Sequence, residues 1–390
     1  MALRIIFLGT PDFAAYALDK LVESGANVVA VVTMPDKPVG RHGNTLQPSA
    51  VKEMALKHNL PVLQPENLKA PEFIEELRSY NADLQIVVAF RMLPESVWNM
   101  PRLGTFNLHA SLLPRYRGAA PINWALINGE KETGVTTFFL KHEIDTGNII
   151  MQRTVAIMPQ DNFETLHDKL MLVGSDVIIE TLALIEKGID PSALRSQDDM
   201  IAAGIEPAPA PKIFKETRLI DWNKSAVQIH NFVRGLAPYP AAYAVMHFDN
   251  GAEQEIKILA TAVVDSAVVD SAGVAVVAGA VVDSAVVDSA VVAGAAGAGV
   301  DSAVVDSAVV DSAVVAGAAC SAAGSGSAGS GSAAVAASVS VGTIVTNYRN
   351  YMYVATGNGW ISILSLQPAG KKTMDIKAFL CGFKAENARF

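Results

Sequence analysis

Residues Arg4–Thr33 read RIIFLGTPDFAAYALDKLVESGANVVAVVT: two short apolar runs around a stretch of a different periodicity. RIIFLG is apolar without alternation, the pattern of a strand covered on both faces. In PDFAAYALDKLVES, Phe13, Ala14, Ala17, Leu18 and Leu21 recur at helical spacing, and Gly25 suits the stop that follows. NVVAVVT then supplies a second strand. Farther on, PSAVKEMALKHN and PEFIEELRSY repeat the helical pattern and LQIVVAF the buried strand. Repeated strand–helix–strand units predict a parallel sheet with helices on both faces, an α/β, Rossmann-like domain.

GTFNLH, VTTFFL and NIIMQRTVAI continue as strands, and a long amphipathic helix is expected from about Asn162 to Lys187. IEPAPAPKIFKETRLIDW is Pro-rich and lacks apolar periodicity, so it reads as a connector. Past it, SAVQIHNFVRGL has helical spacing. AAYAVMHF, EIKILATAVV, VGTIVT, NYMYVAT and WISILSLQP are short strands punctuated by Asn and Gly, which suggests a small, OB-like β-barrel or a sandwich. The expected organisation is a first domain over 1–189, a connector over 190–211 and a second domain over 212–390. That second domain is interrupted at about 261–340, where the pentamer AVVDS occurs six times between Ala262 and Ser312 and Gly/Ser/Ala-rich sequence runs to Ser340. A period of five matches neither helix nor strand; a pentapeptide solenoid is one reading of it, and an insertion in a barrel loop, rich in residues that bury little, is the preferred one.

A chain of 390 residues is long enough for two domains. Its formal charge of −9 is unevenly spread: residues 261–340 hold seven Asp and no Glu, Lys, Arg or His, so the remainder is close to neutral. From Val341 to Phe390, six Lys and Arg face two acids, which is compatible with a polyanionic partner. Cys320 and Cys381 form no CxxC pair and stand near no His cluster, so neither a disulfide framework nor a zinc site is expected. MALRIIFLG lacks the long apolar region and cleavage site of a leader, and no run reaches the ~18 apolar residues of a spanning helix. A cytoplasmic, soluble protein without membrane contact is expected.

FNLHASLLPRYRG, Phe106–Gly118, is where chemistry first shows. In an extended segment residues i and i+2 share a face, so Asn107 and His109 project together. Ligands of open parallel sheets bind beyond the carboxyl ends of the strands, which is where FNLH stops. An amide there can hold a carbonyl oxygen as charge builds on it, and an imidazole can move a proton. Asp145, in the turn IDTG after VTTFFL, could orient that imidazole. The same residues also fit plainer roles: a hydrogen-bonded structural His, an Asn capping a turn, an Asp opening one. GTPDFA lacks the G-x-G-x-x-G pattern, and no acidic ribose partner follows VVAVVT, which disfavours nicotinamide binding.

FNLHASLLPRYRGAAPINWALINGE, followed by IDTGNII, resembles the 10-formyltetrahydrofolate-dependent formyltransferases. IIFLGTPDFA, TMPDKPVGRHGNTLQPSAVK, APKIFKETRLIDW and LQPAGKKTMDIKAFL extend the resemblance over the whole chain outside the low-complexity tract and favour the branch that formylates methionyl-tRNA. The resemblance implies a one-carbon transferase of translation initiation and protein biosynthesis, with 10-formyltetrahydrofolate as cosubstrate, methionyl initiator tRNA as acceptor, and no metal; a monomer is expected.

The catalytic residues it implies are Asn107, His109 and Asp145. The folate is expected along VVAFRMLP and KHEIDTG, with Phe90, Arg91, Met92, Leu93, His142 and Ile144 as contacts. Arg91 and Met92 stand where many relatives have smaller residues, and Phe90 and Met92 fit ordinary core as well. For tRNA the implied contacts are Lys37, Arg41 and His42 in the loop MPDKPVGRHGNT, where Arg41 matches the family's arginine; the basic C-terminal segment adds Lys371 and Lys372 as expected phosphate contacts. Arg349, Lys377 and Lys384 are further contributors, and a solvated charged face is the plain alternative for each cation. Sugar-nucleotide and glycinamide ribonucleotide formyltransferases, and the hydrolase domain of formyltetrahydrofolate dehydrogenase, would share the three catalytic residues. An inactive RNA- or folate-binding protein is the alternative of another class. The tract's seven negative charges are expected to weaken tRNA binding.

Overall fold

The computed structural model describes residues 2–39, 45–143, 145–190, 194–271, 276–277, 280–281, 339–383 and 388–390. The chain opens with β1 (Ile5–Gly9), α1 (Asp12–Glu23) and β2 (Val28–Val32), the strand–helix–strand unit its periodicity predicts. A hairpin of β3 (Lys37–Val39) and β4 (Thr45–Gln47) follows, then α2 (Ala50–Lys57), β5 (Val62–Leu63), α3 (Pro71–Ser79), β6 (Leu84–Val88), α4 (Glu95–Trp98) and β7 (Thr105–His109). The first domain finishes with β8 (Arg117–Gly118), α5 (Pro121–Ile127), β9 (Glu132–Phe139), β10 (Ile149–Ala156) and α6 (Phe163–Glu186). Local sequence explains several boundaries: Ser49 accepts from the Lys52 N–H at the start of α2, and Asn162 with Thr165 closes a capping box on α6.

The main sheet has seven strands in the order β10-β9-β7-β6-β1-β2-β5. β7, β6, β1, β2 and β5 are parallel, whereas β9 runs antiparallel to β7 and β10 antiparallel to β9. The parallel sheet expected from the sequence thus carries an antiparallel edge. Alternation in β1 shows the two covered faces: Ile5 and Phe7 join a core with α1, α2 and α6, while Ile6 and Leu8 join one with α3 and α4. Gly9 permits the tight turn into α1, since a Cβ there would lie 2.6 Å from Ala14 Cβ and 2.9 Å from Val88 O.

Segment 190–211, read as a connector, holds α7 (Gln197–Ala202) and the short β11 (Pro209–Ala210), which pairs in parallel with β8. The second domain begins with α8 (Ala226–Leu236), β12 (Ala242–His247) and β13 (Glu253–Val264). α9 (Ser266–Ser271) and a two-residue pairing of β14 (Val276–Val277) with β15 (Ala280–Val281) belong to a separate compact unit, 266–340. β16 (Ile344–Thr346), β17 (Met352–Ala355), β18 (Trp360–Pro368), β19 (Met374–Asp375) and α10 (Ile376–Leu380) complete the order.

The second sheet is antiparallel, β12-β13-β18-β17-β16, with β19 added to β18. Its two edges meet through Arg389, which bridges both His247 at the end of β12 and Thr343 just before β16, so the sheet curls into the expected barrel. α8 packs on it over Ile229, Val233 and Leu236. The strand β13 runs on to Val264 because Ala262, Val263 and Val264 pair with Ser362, Ile361 and Trp360; the first AVV of the repeat is therefore barrel strand, and the insertion begins after it.

Candidate active site

The carboxyl ends of β1, β6 and β7 are level, with Gly9 opposite Val88 and Val88 opposite Leu108. From β1 the chain steps outward to β2 and β5, then returns on the other side as β6 and β7. The point of reversal between β1 and β6 is where an open sheet leaves a crevice. β7 ends beside it. Asn107 is half-buried between Val87 and Phe138 on the flanking strands, and His109, two residues on and on the same face, is buried.

His109 Nε2 lies 2.8 Å from the carbonyl oxygen of Tyr116. A carbonyl only accepts, so Nε2 carries the proton in that bond and Nδ1 is the nitrogen left outside it. Nδ1 is 3.9 Å from Asp145 Oδ2, beyond hydrogen-bond range yet close enough for an ion pair when the ring is protonated. The same carboxylate oxygen accepts from the Gly118 N–H at 3.1 Å. Asp145 has φ +55, in the left-handed region, and Gly147 two residues later presses so closely on the Phe139 carbonyl that no Cβ would fit. The D-T-G turn is thus a tight fold of backbone that returns the carboxylate to His109.

Tyr116, whose carbonyl orients the imidazole, is itself buried with φ +61. Its hydroxyl donates to Glu130 Oε1 at 2.6 Å and accepts from Asn128 Nδ2 at 3.1 Å. Desolvation, followed by that carboxylate, pushes the phenol pKa up, so the ring stays neutral and keeps its proton for Glu130.

A cavity of about 240 Å³ opens between α4 and the β7–β9 pair, lined by Trp98, Asn99, Thr105, Phe139, Leu140, Lys141 and Asn148 among others. Of the two segments expected to hold the folate it touches only KHEIDTG, at Lys141; no residue of VVAFRMLP lines it, and several of its walls were not read from the sequence. Of the expected contacts, Phe90 and Leu93 are half-buried and pack on the β6 side of the core. Met92 is 74% exposed, so it is neither core nor a wall of this cavity. Arg91 turns away to the chain after β5, donating from Nη1 to Glu66 O at 2.9 Å and from Nη2 to Pro65 O. Burial lowers its pKa, and its Nε has no partner among the described residues. His142 is exposed, edge-on to Trp98 at 5.6 Å and 3.4 Å from Glu95 Oε1. Ile144 lies outside the described residues.

Among the expected tRNA contacts, Lys37 is exposed on β3, Lys371 and Lys372 are exposed in the turn after β18, and Arg349 and Lys377 are exposed as well. Arg41, His42 and Lys384 lie outside the described residues. A further cationic group was not read from the sequence. Lys215 Nζ and the Arg218 guanidinium lie 5.7 and 5.9 Å from the Tyr243 ring centre, with Lys212 over Phe214 nearby in the chain. Cations spaced over a Pro-rich segment give no periodic signal; only the fold brings Lys215 and Arg218 to one ring. No group of three His, Cys, Asp or Glu able to hold a metal occurs among the described residues, nor any helix long and apolar enough to cross a membrane.

Residues 3–182 match the family model described as formyl transferase, and residues 212–297 and 318–384 match that of the formyl transferase C-terminal domain. A methionyl-tRNA formyltransferase of Parabacteroides distasonis is 46% identical over 382 residues, covering 98% of this chain and 96% of that one. The chain belongs to the methionyl-tRNA formyltransferases. One from Bacteroides fragilis is 47% identical over 386 residues, covering 99% and 97% of the two chains. Among solved structures, HypX from Aquifex aeolicus in complex with tetrahydrofolic acid superposes on 99% of this chain and 49% of its own, at a TM-score of 0.53 and 16% identity. WlaRD, a sugar 3N-formyl transferase, matches over 95% of this chain and 100% of its own, at a TM-score of 0.53 and 14% identity. Those two likenesses carry the α/β-plus-barrel fold; the family membership makes the chain a formyl-transferring enzyme.

Proposed function

We propose that this chain formylates the α-amino group of methionyl initiator tRNA with the formyl group of 10-formyltetrahydrofolate, and that Asn107, His109 and Asp145 carry the reaction. The observation that supports these roles is the division of labour on the imidazole: Nε2 is bound to the Tyr116 carbonyl, and Nδ1 faces Asp145. As the amine attacks the formyl carbon, Asn107 donates its side-chain N–H to the oxygen that becomes negative. His109 Nδ1 accepts the proton the attacking amine must lose, and Asp145 stabilises the imidazolium that results. The tetrahedral centre collapses when N10 of the folate leaves, and His109 returns the proton to that nitrogen. Catalysis is assigned to residues 1–189, and tRNA capture to residues 212–390 together with the β3–β4 hairpin and its loop.

The cavity beside Trp98 fits the flat, hydrogen-bonding ring of a folate, with Trp98, Phe139 and Leu140 as apolar walls and Asn99, Thr105 and Asn148 as polar edges. Lys371, Lys372, Lys215 and Arg218 are assigned to tRNA phosphates, contacts that give affinity without sequence information. The deciding assay is labelled formyl transfer from 10-formyltetrahydrofolate to methionyl initiator tRNA, with a sugar nucleotide and glycinamide ribonucleotide as control acceptors. Transfer to the tRNA alone is expected. Faster transfer to either control would refute the acceptor, and wild-type rates from Asn107→Ala or His109→Ala would refute the residues.

A further inference from the structure

Segment 190–211 lies between the two family-model matches, yet it supplies a side chain to the floor of the site. Gln197, the first residue of α7, is completely buried. Its Nε2 donates to Asp145 O at 2.9 Å and to Gly147 O at 2.8 Å. Its Oε1 accepts from Arg117 Nε at 2.9 Å and Nη2 at 2.7 Å. The amide can face only one way, because carbonyl oxygens only accept and a guanidinium only donates. All four of its hydrogen-bonding positions are filled.

We propose that Gln197 is a positioning residue for formyl transfer, a staple that holds the Asp145 turn against the Arg117–Gly118 strand and so sets where the carboxylate stands beside His109. The inference rests on Asp145 acting through His109. Asp145 occupies a left-handed conformation, uncommon though better tolerated by Asp than by most residues, and the two Gln197 bonds clamp the backbone at Asp145 and Gly147. Arg117, on the other side of the amide, precedes Gly118, whose N–H is the carboxylate's own donor. One side chain therefore couples the two loops that flank the imidazole. Backbone contacts hold the segment in place: Ile149 N donates to Arg195 O at 2.9 Å, and β11 pairs with β8. Gly118 is kept small by that pairing, since a Cβ there would strike the Ala210 carbonyl.

Gln197→Glu tests the staple with little change of volume. A carboxylate keeps the Arg117 contact but sets oxygen against the carbonyls of Asp145 and Gly147, leaving both without a donor. Steady-state formylation by the full chain should show kcat reduced at least about tenfold, with KM for methionyl-tRNA and for the folate within about twofold of wild type. The effect should also vanish once the carboxylate is gone: Asp145→Asn combined with Gln197→Glu should be no slower than Asp145→Asn alone. Gln197→Met, uncharged and of equal length, is judged by the same criteria should the first variant not fold. A kcat within twofold of wild type, or a penalty that persists undiminished in the Asp145→Asn background, overturns the proposal. A full-rate Asp145→Asn enzyme would instead remove the role given to Asp145, an outcome the single variant reports separately.

Discussion

The His109 corner and the cationic surfaces solve opposite problems. At the corner nearly every polar atom is buried and spoken for: Nε2 by the Tyr116 carbonyl, the Asp145 carboxylate by Gly118, the Asp145 backbone by Gln197. Lys37, Lys371 and Lys372, by contrast, are exposed and reach into water. Moving a proton between named atoms tolerates errors of a few tenths of an ångström, so the groups must be fixed by backbone and buried amides. Attracting a polyanion needs only charge within about a Debye length of ~8–10 Å, so flexible side chains suffice. Substitutions should therefore fall steeply on rate at the corner and gradually on affinity at the surface.

The contrast is tested most severely by Asn107→Ala and His109→Ala. Loss of an oxyanion donor should lower kcat by about 10²–10³, and loss of the general base by about 10²–10⁴, with tRNA affinity unchanged by filter binding. If either variant lost affinity instead of rate, the division between corner and surface would fail. Next in size is Gly147→Ala. Its Cβ has no room beside the Phe139 carbonyl, so the turn must move; a kcat loss of at least about tenfold is expected together with a lower melting temperature. A fully active, equally stable Gly147→Ala protein would show that the turn's geometry is not required.

On the surface, removing Lys371 and Lys372 together should leave kcat at saturating tRNA untouched. The slope of log affinity against log salt should become shallower by about 1.4–1.8, the value for two phosphate contacts. An unaltered slope would take those two residues off the tRNA. The smallest effect is expected from replacing residues 266–340 with a short Gly/Ser linker. Removing the Asp residues of that tract should tighten tRNA binding a few-fold at low salt and hardly at all at high salt. Equal or weaker binding by the shortened chain would contradict the charge argument.

Much of the fold was legible because burial leaves a periodic trace. RIIFLG, LQIVVAF and the spacing of Phe13, Ala17, Leu18 and Leu21 became β1, β6 and α1 within a residue or two. Asn107 and His109 were legible as a pair because strand alternation is a local rule, and their place at a strand end followed from the ASLLP break after them. The antiparallel direction of β9 was not, since VTTFFL reads the same whichever way its neighbour runs. Nor was the aim of Arg91, which lies beside the folate crevice in sequence but hydrogen-bonds to Pro65 and Glu66. The walls Trp98, Thr105 and Phe139 were missed because a cavity is defined by elements distant in the chain. Gln197 gave no signal at all: it sits in a segment that reads as a connector.

By itself the sequence determined most of the strands and helices, that the first domain is a covered sheet and the second a set of short strands fit for a barrel or a sandwich, and that an amide and an imidazole leave one strand on one face. These depend on the alternation of apolar and polar residues along a single element, which is written into neighbouring positions. Tertiary structure alone decided that Asp145 returns to His109, that Nε2 is occupied and Nδ1 is open, and that Gln197 holds the turn. The first and last of those join residues tens of positions apart and the Nε2 bond spans a seven-residue loop; in each, strict donor and acceptor geometry, and not local propensity, selects the partner.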